Sequence, residues 1–411
     1  MISLNEAIDL VLTAVRPLLA EQVPLLETLG RTVAADVVSP EDVPSFDNSA
    51  MDGFAARGAD LGGVARSDGL AIVAEIPAGS VAAAPLGPGE AARIMTGAPM
   101  PTGADTVVQV EHTEERDGRV FVHTAPAVGR NVRYASEDVH RGDVVLPRGA
   151  PLGPAELGLL TSIGIDELTV ARRPRVAILA TGSELVPPGR PLGPGQIRNS
   201  NSITAWCQAL AAGAEPVLLG IAPDDPDETR RLISRALDED AVITSGGVSV
   251  GDYDFVKQIE DELGVERRFW GVATKPGKPF AFGVRAGRLV FGAPGNPVAA
   301  MVSFELYVRP ALLAMQGRRD IWRPWLTAAA AEPVKATRDR VEVRRCLLAR
   351  GERGDWRFTT TGPQGSGILR SMVLADGLVF VPSAHAGGQV GDPYLVMLLE
   401  GSRPERPPYP A

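Results

Sequence analysis

The sequence predicts a multidomain α/β protein: a three-layer centre on a mostly parallel sheet, a helical N-terminal part interrupted by a β-rich insertion, and a C-terminal β-barrel. Three observations predict it. A chain of 411 residues exceeds what one hydrophobic core usually organises. Between Arg175 and Gly292, near-continuous apolar runs alternate with helical segments, as strands buried on both faces do. On either side of that centre the apolar runs are short and divided by Gly and Pro, as in small β domains.

Each element has its own reason. Leu4, Ala7, Ile8, Val11, Leu12 and Val15 recur at helical spacing, and Glu6 and Asp9 interrupt them with acid, so the N-terminus reads as an amphipathic helix and not a signal peptide. A second short helical stretch is expected to end near Ser39-Pro40. Leu70–Ile76, Ala91–Met95, Thr106–Glu111 and Arg119–Thr124 read as strands. Pro154–Ile163 reads as a helix that packs back on the first one, making the β-rich stretch an insertion. In the centre, strands at Arg175–Ala180, Pro216–Ile221, Ala241–Thr244 and Leu289–Gly292 alternate with helices at Ile203–Ala212, Pro226–Asp238 and Asp254–Leu263. Pro187–Gly195 reads as a flexible loop. Glu342–Ala349, Trp356–Thr360, Gly377–Val381 and Tyr394–Leu399 are the strands of a small barrel or sandwich. The expected domains are 1–42 with 141–172, 43–140, 173–317 and 318–411.

Composition narrows the function. Aromatic residues are 5% and the net charge is −9, so neither a base-stacking platform nor a basic phosphate-tracking surface is expected, and no nucleic-acid partner. Cys207 and Cys346 are the only cysteines, and His112, His123, His140 and His385 are scattered, which leaves no zinc-ligand spacing. No uninterrupted apolar run approaches a membrane span, so no membrane partner and a cytoplasmic location are expected.

The chemistry gathers in one repeated position, just after a strand. Thr181-Gly182-Ser183-Glu184, Pro223-Asp224-Asp225, Ser245-Gly246-Gly247-Val248-Ser249 and Pro294-Gly295-Asn296-Pro297 all lie there. In an open parallel sheet those carboxyl ends share one edge, where ligands bind. Glycine lets a phosphate approach the backbone amides, and a following helix N-terminus favours an anion. Lysine occurs only at 257, 275, 278 and 335, and two of these stand in Lys275-Pro276-Gly277-Lys278-Pro279. A compact ammonium suits a tetrahedral oxyanion in a tight pocket, although a solvated turn competes as an explanation. Glu184, Asp224, Asp225, Asp252 and Asp254 lie in or just beyond the loops, where carboxylates hold Mg²⁺ beside phosphate. For Asp225, capping the helix that begins at Pro226 is an equally good reason. Walker, nucleophile-elbow, HExxH and Rossmann glycine signatures are absent.

Several stretches together resemble the MoeA and gephyrin E-domain family. They are Ser45–Ala55 (SFDNSAMDGFA), Ile94–Pro99, Gly129–Arg133, Thr181–Leu185, Ser245–Asp254, Lys275–Pro279 and Pro294–Pro297, in the family's order and spanning almost the whole chain. The resemblance implies an elongated helical domain, an inserted β domain, a molybdopterin-binding α/β domain and a C-terminal β-barrel. It implies a molybdopterin molybdenumtransferase, which inserts molybdate into adenylylated molybdopterin and releases AMP with the help of Mg²⁺. It further implies a homodimer whose active site is shared between subunits, and transient contact with other proteins of molybdenum cofactor synthesis.

By the same resemblance, Lys275 and Lys278 would hold molybdate or neighbouring phosphate oxygens, and Glu184, Asp225 and Asp254 would act on the metal and pterin side. Asp52, Thr96, Arg133 and Asp138 would enter from the partner subunit. Thr181, Gly182, Ser245, Gly246, Gly247, Ser249, Pro294, Gly295, Asn296 and Pro297 would cradle the pterin and its phosphates. Arg345 with Ser366 or Ser371 would complete oxyanion binding. Plainer roles compete: Asp52 and Thr96 as turn formers, Arg133 and Asp138 as a structural ion pair, Asp47 and Asn48 as shapers of their own loop. Three positions depart from the family pattern. Ala299 stands where a serine is usual, Ala293 where a leucine is, and Ser136 where a glycine is, which predicts a different local backbone at 136. Two rivals share parts of the pattern: a gephyrin-like non-catalytic scaffold that binds peptide segments, and a molybdopterin adenylyltransferase, which would resemble only Arg175–Leu312.

Overall fold

A computed structural model describes residues 1–399 apart from 63, 64, 66, 247–254, 336–338 and 384–386. At its centre, the strands Glu215–Ala222, Arg175–Thr181, Ala241–Ser245 and Arg288–Ala293 lie parallel in that spatial order. Alternation along each strand makes the layers. Val176, Ile178, Ile243, Leu289 and Phe291 face one core with Ala209 of the Ser200–Ala211 helix and the helical run from Pro297. Ala177, Leu179, Val242 and Val290 face the other, with Leu232 and Ile233 of the Pro226–Ala236 helix and Ile259 of the Phe255–Glu262 helix. Each such buried aliphatic or aromatic side chain contributes about 1.5–3 kcal/mol.

Two antiparallel strands, Ala281–Arg285 and Glu266–Trp270, extend the sheet. The sequence reading did not identify either. A two-residue hairpin makes the turn: Ala286 and Gly287 hold φ of +49° and +84°, the twist that suits such a connection.

The first helix, Leu4–Ala14, is closed by a Ser3–Glu6 capping box. It does not pack on the Pro154–Ser162 helix as expected. Ala7 and Val11 are buried in the central α/β core, whereas Leu160 and Ile163 close a separate small core with Leu25, Val33, Leu152 and Val170. The expected second helical stretch is also replaced. Ala20–Pro24 is a strand paired antiparallel with Glu167–Ala171, followed by one 3-10 turn at Leu25–Thr28. The insertion carries a six-stranded sheet that includes Gly53–Ala56, Leu70–Ile76 and Glu90–Ile94. Ser136 holds φ +66°, the left-handed conformation that glycine favours.

At the C-terminus, Val341–Arg350, Trp356–Thr360, Trp325–Ala330, Pro393–Leu398 and Gly377–Val381 pair in turn, and the last pairs back to the first. The sheet therefore closes into a barrel. The barrel is stitched to the α/β centre by a two-residue strand, Thr274–Lys275, parallel to the start of Val341–Arg350. One helical run, Pro297–Met315, is 19 residues long and apolar enough to cross a membrane, a run the sequence reading overlooked. It is a core helix: 78% of its apolar window is buried, and Glu305 in its middle pairs with Arg323 at 2.9 Å.

Candidate active site

The parallel strands end on one edge, and their loops are drawn together by glycine. Gly246 has φ +94°, and a Cβ there would stand 2.6 Å from the Thr181 carbonyl oxygen. Gly182, at φ +139°, lets the Glu184 carboxylate fold over it. Thr181, Glu184, Ser245, Gly246, Gly295 and Pro297 line a cleft of about 300 Å³ with Asn199, Asn201 and Gly367.

A second cavity, of about 690 Å³, opens where the barrel meets that edge. Six cations line it, Lys275, Lys278, Lys335, Arg340, Arg344 and Arg345, against one carboxylate, Glu342. Glu342 is buried and pairs with Lys275 at 3.2 Å and with Arg344. Parallel pairing of Thr274–Lys275 with the barrel puts Lys275 beside Glu342 in register. Gly277 makes the turn at φ +103°, where a Cβ would meet Ser303 Oγ at 2.9 Å.

Arg345 is 1% exposed, and no carboxylate pairs with it among the described residues. Its Nε donates to Ser371 Oγ at 2.9 Å and its Nη2 to the Gly365 carbonyl at 3.1 Å. Burial pushes its pKa down to about 10, still above neutrality. A buried cation held by neutral groups is costly until an anion arrives.

Pro294–Pro297 is the wall between the two spaces: Pro294 and Asn296 face the cationic cavity, and Gly295 and Pro297 the glycine-lined cleft. Ser366 lines the first and Gly367 the second.

Most of the expected residues of the α/β domain and barrel meet here: Lys275, Lys278, Pro294, Asn296, Arg345 and Ser366 in one space, and Thr181, Glu184, Ser245, Gly246, Gly295 and Pro297 in the other. Ser371 bonds to Arg345, and Gly182 lies under Glu184. Asp225 stands apart from both spaces. Its carboxylate accepts from the Glu228 N–H at 2.8 Å as the N-cap of Pro226–Ala236, and it lines neither space. A helix start leaves N–H groups unpaired, and that need has claimed this side chain. Gly247, Ser249, Asp252 and Asp254 lie outside the described residues.

In the insertion, Asp52 accepts from both the Thr96 N–H and the Thr96 hydroxyl at 2.7 Å. These bonds, the backbone one foremost, hold its carboxyl below the usual range. Arg133 pairs through its backbone with Asn48, and Asp138 donates its N–H to the Val43 carbonyl at 3.0 Å. No ion pair joins Arg133 to Asp138 among the described residues, and Asp52, Thr96, Arg133 and Asp138 line neither space within one chain.

Lys335, Arg340, Arg344, Glu342 and Asn201 were missed. Scarcity of lysine could have found Lys335, since three of the four lysines line the cationic cavity. Ala299 also lines it, so a methyl group stands where the family pattern would put a hydroxyl.

Among the described residues no three His, Cys, Asp or Glu side chains gather as a metal site. Magnesium keeps several waters and needs one or two carboxylates plus ligand oxygens, a demand Glu184 at the cleft fits.

Fold and site together define a class: a small-molecule enzyme of the open α/β kind, with an oxyanion cavity beside a phosphate-accepting strand edge. Models of protein families match three stretches of the chain. Residues 2–164 match the MoeA N-terminal region (domains I and II), 177–314 a probable molybdopterin-binding domain, and 327–399 the MoeA C-terminal region (domain IV). Molybdopterin molybdenumtransferase 2 of Mycobacterium tuberculosis is 40% identical over 370 residues, covering 88% of this chain and 90% of the relative. Molybdopterin molybdenumtransferase of Haemophilus influenzae is 38% identical over 380 residues, covering 92% and 93%. The crystal structure of a molybdopterin biosynthesis MoeA protein from Pyrococcus horikoshii superposes with TM-score 0.83 at 30% identity, over 97% of this chain and 100% of that one. The chain belongs to the molybdopterin molybdenumtransferase (MoeA) family.

Proposed function

We propose that this chain is a molybdopterin molybdenumtransferase, a transferase of molybdenum cofactor synthesis that carries molybdenum from molybdate to adenylylated molybdopterin. The observation that carries the reading is the buried Arg345, without a carboxylate partner among the described residues, in one cavity with Lys275 and Lys278. A tetrahedral dianion answers that surplus charge. Lysine meets it as a point charge, and Arg345, steadied by Ser371, as an oriented donor. Ser366 adds a hydroxyl on the same wall.

Across the Pro294–Pro297 loop, the glycine-lined cleft at Gly246 and Gly295, where no Cβ fills the space, receives the phosphate-bearing pterin. In this arrangement the dithiolene meets the oxyanion at the shared wall, and water attacks the phosphoanhydride, which breaks one P–O bond, releases AMP and leaves the pterin with its own phosphate. Mg²⁺, when bound, would neutralise charge on the anhydride oxygens. Glu184 would hold it; Asp225, spent as a cap, would not.

The reading includes a cytoplasmic homodimer. Asp52, with Thr96 bonded to it, is a carboxylate kept ionised on the insertion, and its distance from both clefts within one chain supports its use across a subunit boundary, together with Arg133 and Asp138.

The test is incubation with adenylylated molybdopterin, Mg²⁺ and molybdate. AMP release that depends on molybdate, with a product that activates a molybdenum-free apoenzyme, is the expected result. Tight pterin binding with no molybdate-dependent AMP release would reject the transferase in favour of a scaffold.

A further inference from the structure

Ser245 and Ala293 end two neighbouring parallel strands, in register with each other. Beyond them the chains diverge into the two loops that matter most, Gly246 onwards and Pro294–Pro297. Here the main chain reaches across through the Gly246 N–H and the Ala293 carbonyl at 3.4 Å, a weak contact. A side chain does better. Asn201 Nδ2 donates to Ser245 Oγ at 2.8 Å and to the Gly295 carbonyl at 2.8 Å, one bond to each loop.

Local sequence puts Asn201 there. The strand Ile197–Arg198 leads into the Ser200–Ala211 helix, Asn199 caps that helix, and Asn201 stands in its first turn, against the strand ends. Its amide orientation is fixed, because the Gly295 carbonyl can only accept. The other amide atom, Oδ1, is buried and has no hydrogen-bond partner. A buried acceptor left unmet is costly, so the side chain is not placed to satisfy itself.

The consequence follows from which loop is held. Pro294–Pro297 is the wall common to the cationic cavity and the glycine-lined cleft, so whatever sets its distance from Ser245 sets the two substrates relative to each other. We infer that Asn201 is a positioning residue that holds the pterin cleft and the oxyanion cavity in register across their shared wall. The inference rests on the transferase reading above.

The test uses the full chain with both substrates. Asn201→Ala is compared with the native protein for molybdate-dependent AMP release, pterin-nucleotide affinity by pterin fluorescence, the molybdate KM, and thermal unfolding. Misplacement of reacting groups by about 1 Å can cost on the order of a hundredfold, so kcat is expected to fall roughly ten- to a hundredfold. Molybdate KM and Tm should change little, because the cationic cavity keeps its own lining, and the fall in kcat should exceed any loss of pterin affinity, since Asn201 also lines the cleft. Ser245→Ala, which removes one anchor and leaves the Gly295 bond, should give an intermediate kcat and guards against a folding defect in the first variant. An unchanged kcat in Asn201→Ala overturns the inference. So does a kcat loss accounted for by lost folded protein, with Ser245→Ala equal to native. A native protein that releases no AMP fails the functional reading first, and the inference with it.

Discussion

The two ligand spaces share a wall but are built by opposite means. In the glycine-lined cleft, the groups offered to a ligand among the described residues are loop backbone, short polar side chains, Arg198 and the Glu184 carboxylate, set mostly by strand ends of the α/β domain with Gly367 of the barrel at the rim. In the cationic cavity they are side-chain charges from distant stretches, Lys275 and Lys278 on one loop and Lys335 to Arg345 on the barrel, joined by parallel pairing at Thr274–Lys275. The first kind of site accepts phosphate by leaving room for it. The second selects a dianion by surplus charge, with exposed lysines at its mouth and the buried Arg345 where charge acts more strongly. The comparison teaches that the substrates should be separable: one set of substitutions should reach molybdate alone, another the pterin and its metal.

The largest effect should come from the cationic side. Arg345→Met or Lys278→Ala removes a charge-assisted bond of about 1.5–3 kcal/mol, so the molybdate KM should rise roughly ten- to a hundredfold, with pterin affinity by fluorescence unchanged. A parallel loss of both affinities would break the division. Glu184→Gln should instead raise the Mg²⁺ concentration needed for AMP release by at least the roughly tenfold that even outer partners of a metal can cost, leaving the molybdate KM alone.

A smaller, graded effect should appear with pH. The Arg345 pKa lies at about 10 because burial disfavours the charged form, so its proton, and with it oxyanion attraction, is lost as pH rises through that value. Molybdate affinity should decline between about pH 9 and 11, and Arg345→Met should flatten that part of the profile. Asp225→Ala should give the smallest change. As an N-cap it stabilises by about 1 kcal/mol, so Tm should fall slightly with both substrate constants intact. A changed Mg²⁺ requirement in Asp225→Ala would return it to the metal site.

The same contrast governs what could be read in the sequence. The glycine-lined cleft was legible because its parts are local: a run of apolar residues ends, Gly appears, and the strand-end rule places it. The parallel core was legible for the same reason. The antiparallel strand Ala281–Arg285, joined to the legible Arg288–Ala293 strand by the Ala286–Gly287 turn, was not, since Ala-Gly is no clear turn dipeptide. In the cationic cavity, Lys275 and Lys278 stood out by rarity, and Arg345 entered by resemblance alone. Lys335 could have been singled out by the same rarity, but Arg340 and Arg344 were invisible, because only barrel closure and the pairing of Thr274–Lys275 with Val341–Glu342 bring them to the lysines. Asp225 was ambiguous for a local reason: a carboxylate just before Pro226 serves the helix start as readily as a metal, and sequence alone does not decide between them. The first helix misled differently. Its periodicity was right, but periodicity says which face is apolar and not which partner covers it.

Anomalous scattering at the molybdenum edge, from crystals soaked in molybdate, tests the central division most directly. The account predicts one strong peak among Lys278, Arg345 and Ser366, with the glycine-lined cleft free of metal. A peak beside Gly246 and Glu184, with none near Arg345, would contradict it.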